Sequence, residues 1–115
     1  MENLFEKGRT LFDEGKYFEA HEEWEELWNL ADGERHRFLQ GLIQIAAALH
    51  HAQRGNFRGT KKLLATGLDY LEKGKGCAET VDFGRLKDAI LDFHNATQAS
   101  PPIDPLPYFA LPVIE

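Results

Sequence analysis

The sequence predicts an all-α fold: a compact bundle of about five helices, two hairpins plus one further helix, followed by an extended tail. Three observations carry this expectation. Apolar residues recur at helical spacing down to about residue 97, and no segment alternates convincingly as a strand does. Glycines at positions 15, 55 and 74 follow helical runs where a C-terminal glycine ends a helix. All five prolines fall between Pro101 and Pro112, so the end of the chain cannot be a regular helix.

The first helix is expected over Glu2 to Asp13, with Leu4, Phe5, Gly8, Leu11 and Phe12 on one side and Gly15 as its stop. A second runs from about Tyr17 to Asn29. The third starts after Asp32, a good N-cap residue type, and continues through about Gln53 to Gly55. A fourth follows from Asn56, itself read as a cap, to about Glu72. A Gly-rich polar connector, Lys73-Gly74-Lys75-Gly76-Cys77, reads as flexible. Thr80 or Asp82 then caps a fifth helix, whose apolar face is Phe83, Leu86, Ala89, Ile90 and Phe93.

The expected organisation is therefore a helical domain over 1–98 and a tail over 99–115. That tail also carries Ile103, Leu106, Tyr108, Phe109, Leu111, Val113 and Ile114, which disordered tails lack. It is expected to dock on its own helices, with docking across a subunit boundary as the alternative. A homodimer is compatible with that apolar length.

A weak internal repeat appears at a spacing of 40 residues. Gly15-Lys16-Tyr17-Phe18-Glu19-Ala20 superposes on Gly55-Asn56-Phe57-Arg58-Gly59-Thr60, each following one helix and opening another. The pattern Gly-x-Tyr-x-Glu-Ala resembles the turn of a tetratricopeptide unit. Two copies are too few for a solenoid, so the resemblance implies a closed bundle with hairpins of that style.

Composition narrows the function. A net charge of -6 argues against a general nucleic-acid binder, which needs clustered Lys and Arg. One local exception, Arg54, Arg58, Lys61 and Lys62, brackets a helix start; it reads as a solvated face, with anion binding as the alternative. The single cysteine, Cys77, forms no intrachain disulfide and reads as incidental, so a reducing cytoplasm is the default. No leader-like segment opens the chain, and the longest apolar stretch, around Gly41 to Leu49, is too short for a bilayer.

The chemistry concentrates in His21-Glu22-Glu23-Trp24-Glu25-Glu26-Leu27-Trp28. At about 100° per residue, Tyr17, Ala20, Trp24, Leu27 and Trp28 form one apolar arc. Glu19, Glu22, Glu23 and Glu26 gather opposite and belong to water. His21 and Glu25, one turn apart, fall between the two groups, so Glu25 is expected to be at least half buried with His21 as its partner. The third helix is apolar almost all round, yet Gln40, Gln44 and His51 align in a narrow arc flanked by Gly41, Ala47 and Ala48. Hairpin packing would bring that arc to His21 and Glu25.

Three readings of this cluster stand side by side. It is a structural network fixing helix register. It is a pocket for a small ligand, with Trp24 and Trp28 as walls. Or it holds a divalent metal: His21-Glu22-x-x-Glu25 has the spacing of the His-Glu-x-x-His zinc motif with its second histidine replaced, His51 as third ligand and Glu22 as base for hydrolysis. A metal-free acid–base pair of His21 and Glu25 is a variant of the third. A non-enzymatic protein-interaction module is the competing class of function.

Phe18-Glu19-Ala20-His21-Glu22-x-x-Glu25-x-x-Trp28, Phe38-Leu39-Gln40-Gly41-Leu42-Ile43-Gln44-x-Ala46, His50-His51 and Gly55-Asn56 together resemble the signature of a small bacterial and archaeal all-helical family, domain of unknown function 309 (DUF309). The likeness covers roughly residues 3 to 97. It implies a compact helical domain whose signature residues include His21, Glu25, Trp28, Gln40, Gln44 and Asn56, and it implies no activity. Thr60 departs from the alanine more common after Gly59.

Overall fold

The computed structural model describes residues 4–77 and 81–113. Five α-helices follow one another: α1 (Leu4–Asp13), α2 (Tyr17–Leu30), α3 (Gly33–Gln53), α4 (Phe57–Lys73) and α5 (Phe83–Gln98), with one 3-10 turn at Lys75–Cys77. The all-helical expectation holds, and each helix bound expected among the described residues lies within a residue or two of its place. Glu2, Asn3, Thr80 and Ile114 lie outside the described residues.

Two Schellman-type turns build the hairpins. Gly15 and Gly55 adopt φ of 80° and 77°, a region that favours glycine because it carries no Cβ. Asn56 caps α4 through its side-chain oxygen, and Asp82 caps α5 in the same way, accepting from Arg85 N–H at 3.2 Å. Asp32 behaves differently. It occupies the N-cap position of α3 with extended backbone, but its carboxylate accepts no bond from the helix. The start of α3 is instead tied by His36 N–H to Asp32 O at 3.2 Å and by the His36 ring, whose Nδ1 donates to Ala31 O at 3.0 Å.

α3 is the central helix. Phe38, Leu39, Leu42, Ile45, Ala46, Ala48 and Leu49 are all buried, because α2 packs on one side and α4 on the other. The α3–α4 approach is close: a Cβ added to Gly41 would stand 2.6 Å from Leu71 Cγ and 2.8 Å from Gly67 O. α1 packs on α2 through Trp24, which is fully buried; its indole N–H donates to Phe5 O at 3.2 Å. Gly8 makes room for that indole, since any Cβ there would collide with the ring.

The connector after α4 is tighter than its composition suggests. Gly74 is buried against the backbone of Glu34 and Phe38, so a glycine is required there by close approach. The chain after α5 runs back across the bundle. Phe109 is buried between Phe12 and Phe93, at ring-centroid distances of 5.7 and 5.8 Å, and Val113 makes an antiparallel bridge with Val81. Leu111 N–H donates to Asp13 Oδ1 at 2.9 Å and Tyr108 O–H to Asp13 O at 2.7 Å. No described helix is long and apolar enough to cross a membrane.

Candidate functional site

α2 and α3 face each other with imidazoles at one end. His21 Nε2 lies 2.9 Å from Glu25 Oε1, one turn along α2. A carboxylate only accepts, so the proton of this bond is on Nε2. The Glu25 side chain keeps 48% of its exposure, which limits such a pair to about 0.2–1 kcal/mol. The pair therefore orients the ring more than it stabilises the fold. The other ring nitrogen, His21 Nδ1, is buried with no partner.

A second chain of bonds fixes His51. Gly59 N–H donates to Asn56 Oδ1 at 3.0 Å, and an amide oxygen is the only atom of that side chain able to accept it. The Asn56 amide is thereby oriented, and its Nδ2 must be the atom facing His51 Nδ1 at 3.1 Å. Nδ2 donates, so His51 Nδ1 accepts and the ring carries its proton on Nε2. One capping residue sets both the start of α4 and the tautomer of a neighbouring imidazole.

Between these groups lies a cavity of about 170 Å³, lined by Phe18, His21, Ala47, His50 and His51. The Phe18 ring stands 5.8 Å from the His21 ring and 5.7 Å from that of His50, and it is half exposed. Three imidazoles, one phenyl ring and one methyl group thus surround a space that suits a single ring; an apolar cavity of about 150 Å³ in another protein holds benzene.

Of the residues singled out in the sequence, His21, Glu25, His51 and Asn56 come together here. Gln40, Gln44 and Trp28 are not among the residues that line the cavity. At 1.5 Å of rise per residue, Gln44 lies about 10 Å and Gln40 about 16 Å from His51 along the helix axis. The Cβ of Gln44 backs onto Gly67 of α4, and its Oε1 is buried without a partner. Trp28 packs against His36 across the α2–α3 turn, with ring centroids 4.5 Å apart and planes tilted by 34°.

The expected division of the glutamates also changes. Glu23, placed on the wet side by its angle, has a side chain only 21% exposed and pairs with Lys7 Nζ at 3.1 Å, while Glu25 is the more open of the two. α1 lies along that flank of α2 and covers Glu23. Nor do metal donors converge: Glu22 is exposed, His51 Nδ1 is held by Asn56, and no group of three or more His, Cys, Asp or Glu among the described residues is arranged to hold a metal ion. Sequence reasoning missed Phe18 and His50 as lining residues. Their signal was an exposed aromatic preceding His21 by three positions and a histidine preceding His51.

The family model described as "Domain of unknown function (DUF309)" matches residues 5–63, just over half of the 115-residue chain. The chain belongs to DUF309. All five cavity-lining residues, together with Glu25 and Asn56, fall within the DUF309 match; α5 and the tail lie beyond it. The chain is also similar to "Uncharacterized protein YpuF" of Bacillus subtilis (strain 168), 40% identical over 73 residues, which is 61% of this chain and 42% of that protein. It thus aligns with less than half of the relative's length. No solved structure matches.

Proposed function

We propose that this protein binds a small ligand carrying one planar ring in the cavity between α2 and α3. The observation that carries this reading is the partly open space of about 170 Å³ lined by Phe18, His21, Ala47, His50 and His51. Its size is below the roughly 300–1,000 Å³ of ordinary small-molecule sites, so the occupant is a single ring, either free or part of a larger molecule. His51 keeps an Nε2–H as donor. Phe18 and His50 supply flat apolar faces.

Phenol and toluene, equal in size and differing in one hydroxyl, test the assignment by titration followed in the histidine-ring and Phe18 NMR signals. Phenol is expected to saturate those signals and to bind about fivefold tighter than toluene, the value of one hydrogen bond gained. Ala47→Leu fills the space and is expected to abolish both titrations while leaving the melting temperature equal or higher. Unsaturable shifts with both probes, or binding that survives Ala47→Leu, would overturn the reading.

A further inference from the structure

The last turn of α3 gives His51 to the cavity just described and Ala52 and Gln53 to a different space. There, a cavity of about 530 Å³ lies between the α3–α4 turn and the chain segment Pro102–Leu106. A second, of about 290 Å³, is bounded by Tyr17, Leu49, Phe93 and Tyr108. The two share Ala52, Gln53 and Leu106, so they form one cleft under the C-terminal segment. Unlike the α2–α3 cavity, it has the volume of an ordinary small-molecule site.

Its chemistry is one-sided. No Lys, Arg or His lines either part, and the single formal charge on the walls is the Asp104 carboxylate, which has no ion-pair partner among the described residues. Gln53 has already committed an amide N–H to Gly15 O at 2.9 Å, which leaves its Oε1 as a free acceptor. Phe57, Tyr17 and Tyr108 present aromatic surface, the last with its hydroxyl anchored on Asp13 O. Acceptors, one negative charge and ring faces are the complement of an organic cation: a carboxylate attracts it and aromatic faces favour it further. An anion would be repelled by Asp104, whereas a cation would pair with a carboxylate that is otherwise exposed to water.

We propose that this cleft binds a small organic ammonium ion, its charge toward Asp104 and Gln53 Oε1 and its apolar body on Leu106, Phe57 and Tyr108. This site is separate from the α2–α3 cavity and stands or falls independently of it.

Three probes of one shape decide the matter: phenethylamine, phenethyl alcohol and phenylacetate, each titrated into the full chain and followed by NMR signals of Gln53, Phe57 and Tyr108. The amine is expected to bind tightest and the carboxylate weakest. Asp104→Asn is expected to weaken the amine about fivefold, as for one partly exposed charge pair, and to leave the alcohol unchanged. The three-probe comparison on the unaltered chain holds whatever Asp104→Asn does to the C-terminal segment. Phenylacetate binding as well as phenethylamine, equal amine affinity in Asp104→Asn, or no shifts at the cleft would each overturn the proposal.

Discussion

At the end of α1, Lys16 N–H reaches back to Leu11 O at 2.8 Å and Gly15 N–H to Phe12 O at 2.9 Å. Forty residues later Asn56 N–H donates to His51 O at 2.9 Å and Gly55 N–H to Ala52 O at 3.0 Å. The two turns share one backbone pattern, yet only the second sets a capping amide against an imidazole, because His51 stands where the first has Leu11 and Asn56 where it has Lys16. Interior positions vary in the same paired way. Gly8 admits the large Trp24 in the first hairpin; in the second, the corresponding positions are Ala48 and Leu64, and Thr60 Oγ1 donates to Ala48 O at 3.1 Å. The turn geometry asks for one glycine and leaves its neighbours free. One turn geometry can therefore carry different side-chain chemistry in its two copies.

The largest break of this comparison comes from emptying the two interiors. Trp24→Ala is expected to cost about 4 kcal/mol, since it removes a fully buried ring and its bond to Phe5 O, and Leu64→Ala about 3 kcal/mol. Urea denaturation checks both. A larger loss for Leu64→Ala would mean that the second hairpin, not the first, anchors the core.

Next come the turn glycines. With φ of 80° and 77°, Gly15→Ala and Gly55→Ala are each expected to cost about 1–2 kcal/mol, and to agree within about 0.5 kcal/mol. A Cβ at either place meets no close neighbour, so backbone conformation is the whole cost. A clear inequality between the two would show that the turns are alike in geometry but not in energy.

These turns were also the most legible part of the sequence. A glycine after a helical run followed by an aromatic three-residue step is a local signal, and so is Asn56 as a cap. The polar cluster was less legible. A helical wheel gives an angle but neither a height along the axis nor the identity of the neighbour. It set Gln40 and Gln44 beside His51 in angle, while the rise of the helix separates them. It placed Glu23 in water because α1, which covers it through Lys7, is invisible from α2 alone. Asp32 shows the converse: a favourable residue type at the right place whose side chain goes unused, since His36 ties the start of α3 instead.

A smaller effect separates the residues after the two glycines. Asn56→Ala removes the cap of α4 and is expected to cost about 1 kcal/mol, whereas Lys16→Ala, which caps nothing, is expected to fall within about 0.5 kcal/mol of zero. Asn56→Ala also frees His51 Nδ1, so the His51 ring signals are expected to move in that variant and not in Lys16→Ala. Unmoved His51 signals would detach the cap from the cavity.

The smallest expected difference lies at the aromatic residues that open α2 and α4. Tyr17 and Phe57 occupy matching positions, and only Tyr17 can ionise. Burial pushes its phenol above the ordinary 10.0, and the nearby Tyr108 and the Asp13 carboxylate push it further. A group whose folded pKa is raised favours the folded state fully below the unfolded value, and that contribution is lost as pH climbs through the folded one. Stability is therefore expected to be level in this respect up to about 10.0 and to decline above it. Tyr17→Phe makes the first hairpin match the second and is expected to remove that part of the alkaline decline, read from denaturation midpoints on both sides of 10.0. An alkaline profile identical in Tyr17→Phe and the unaltered chain would show that the charge of a tyrosinate at this turn is tolerated, and that the two openings are equivalent in energy as well as in shape.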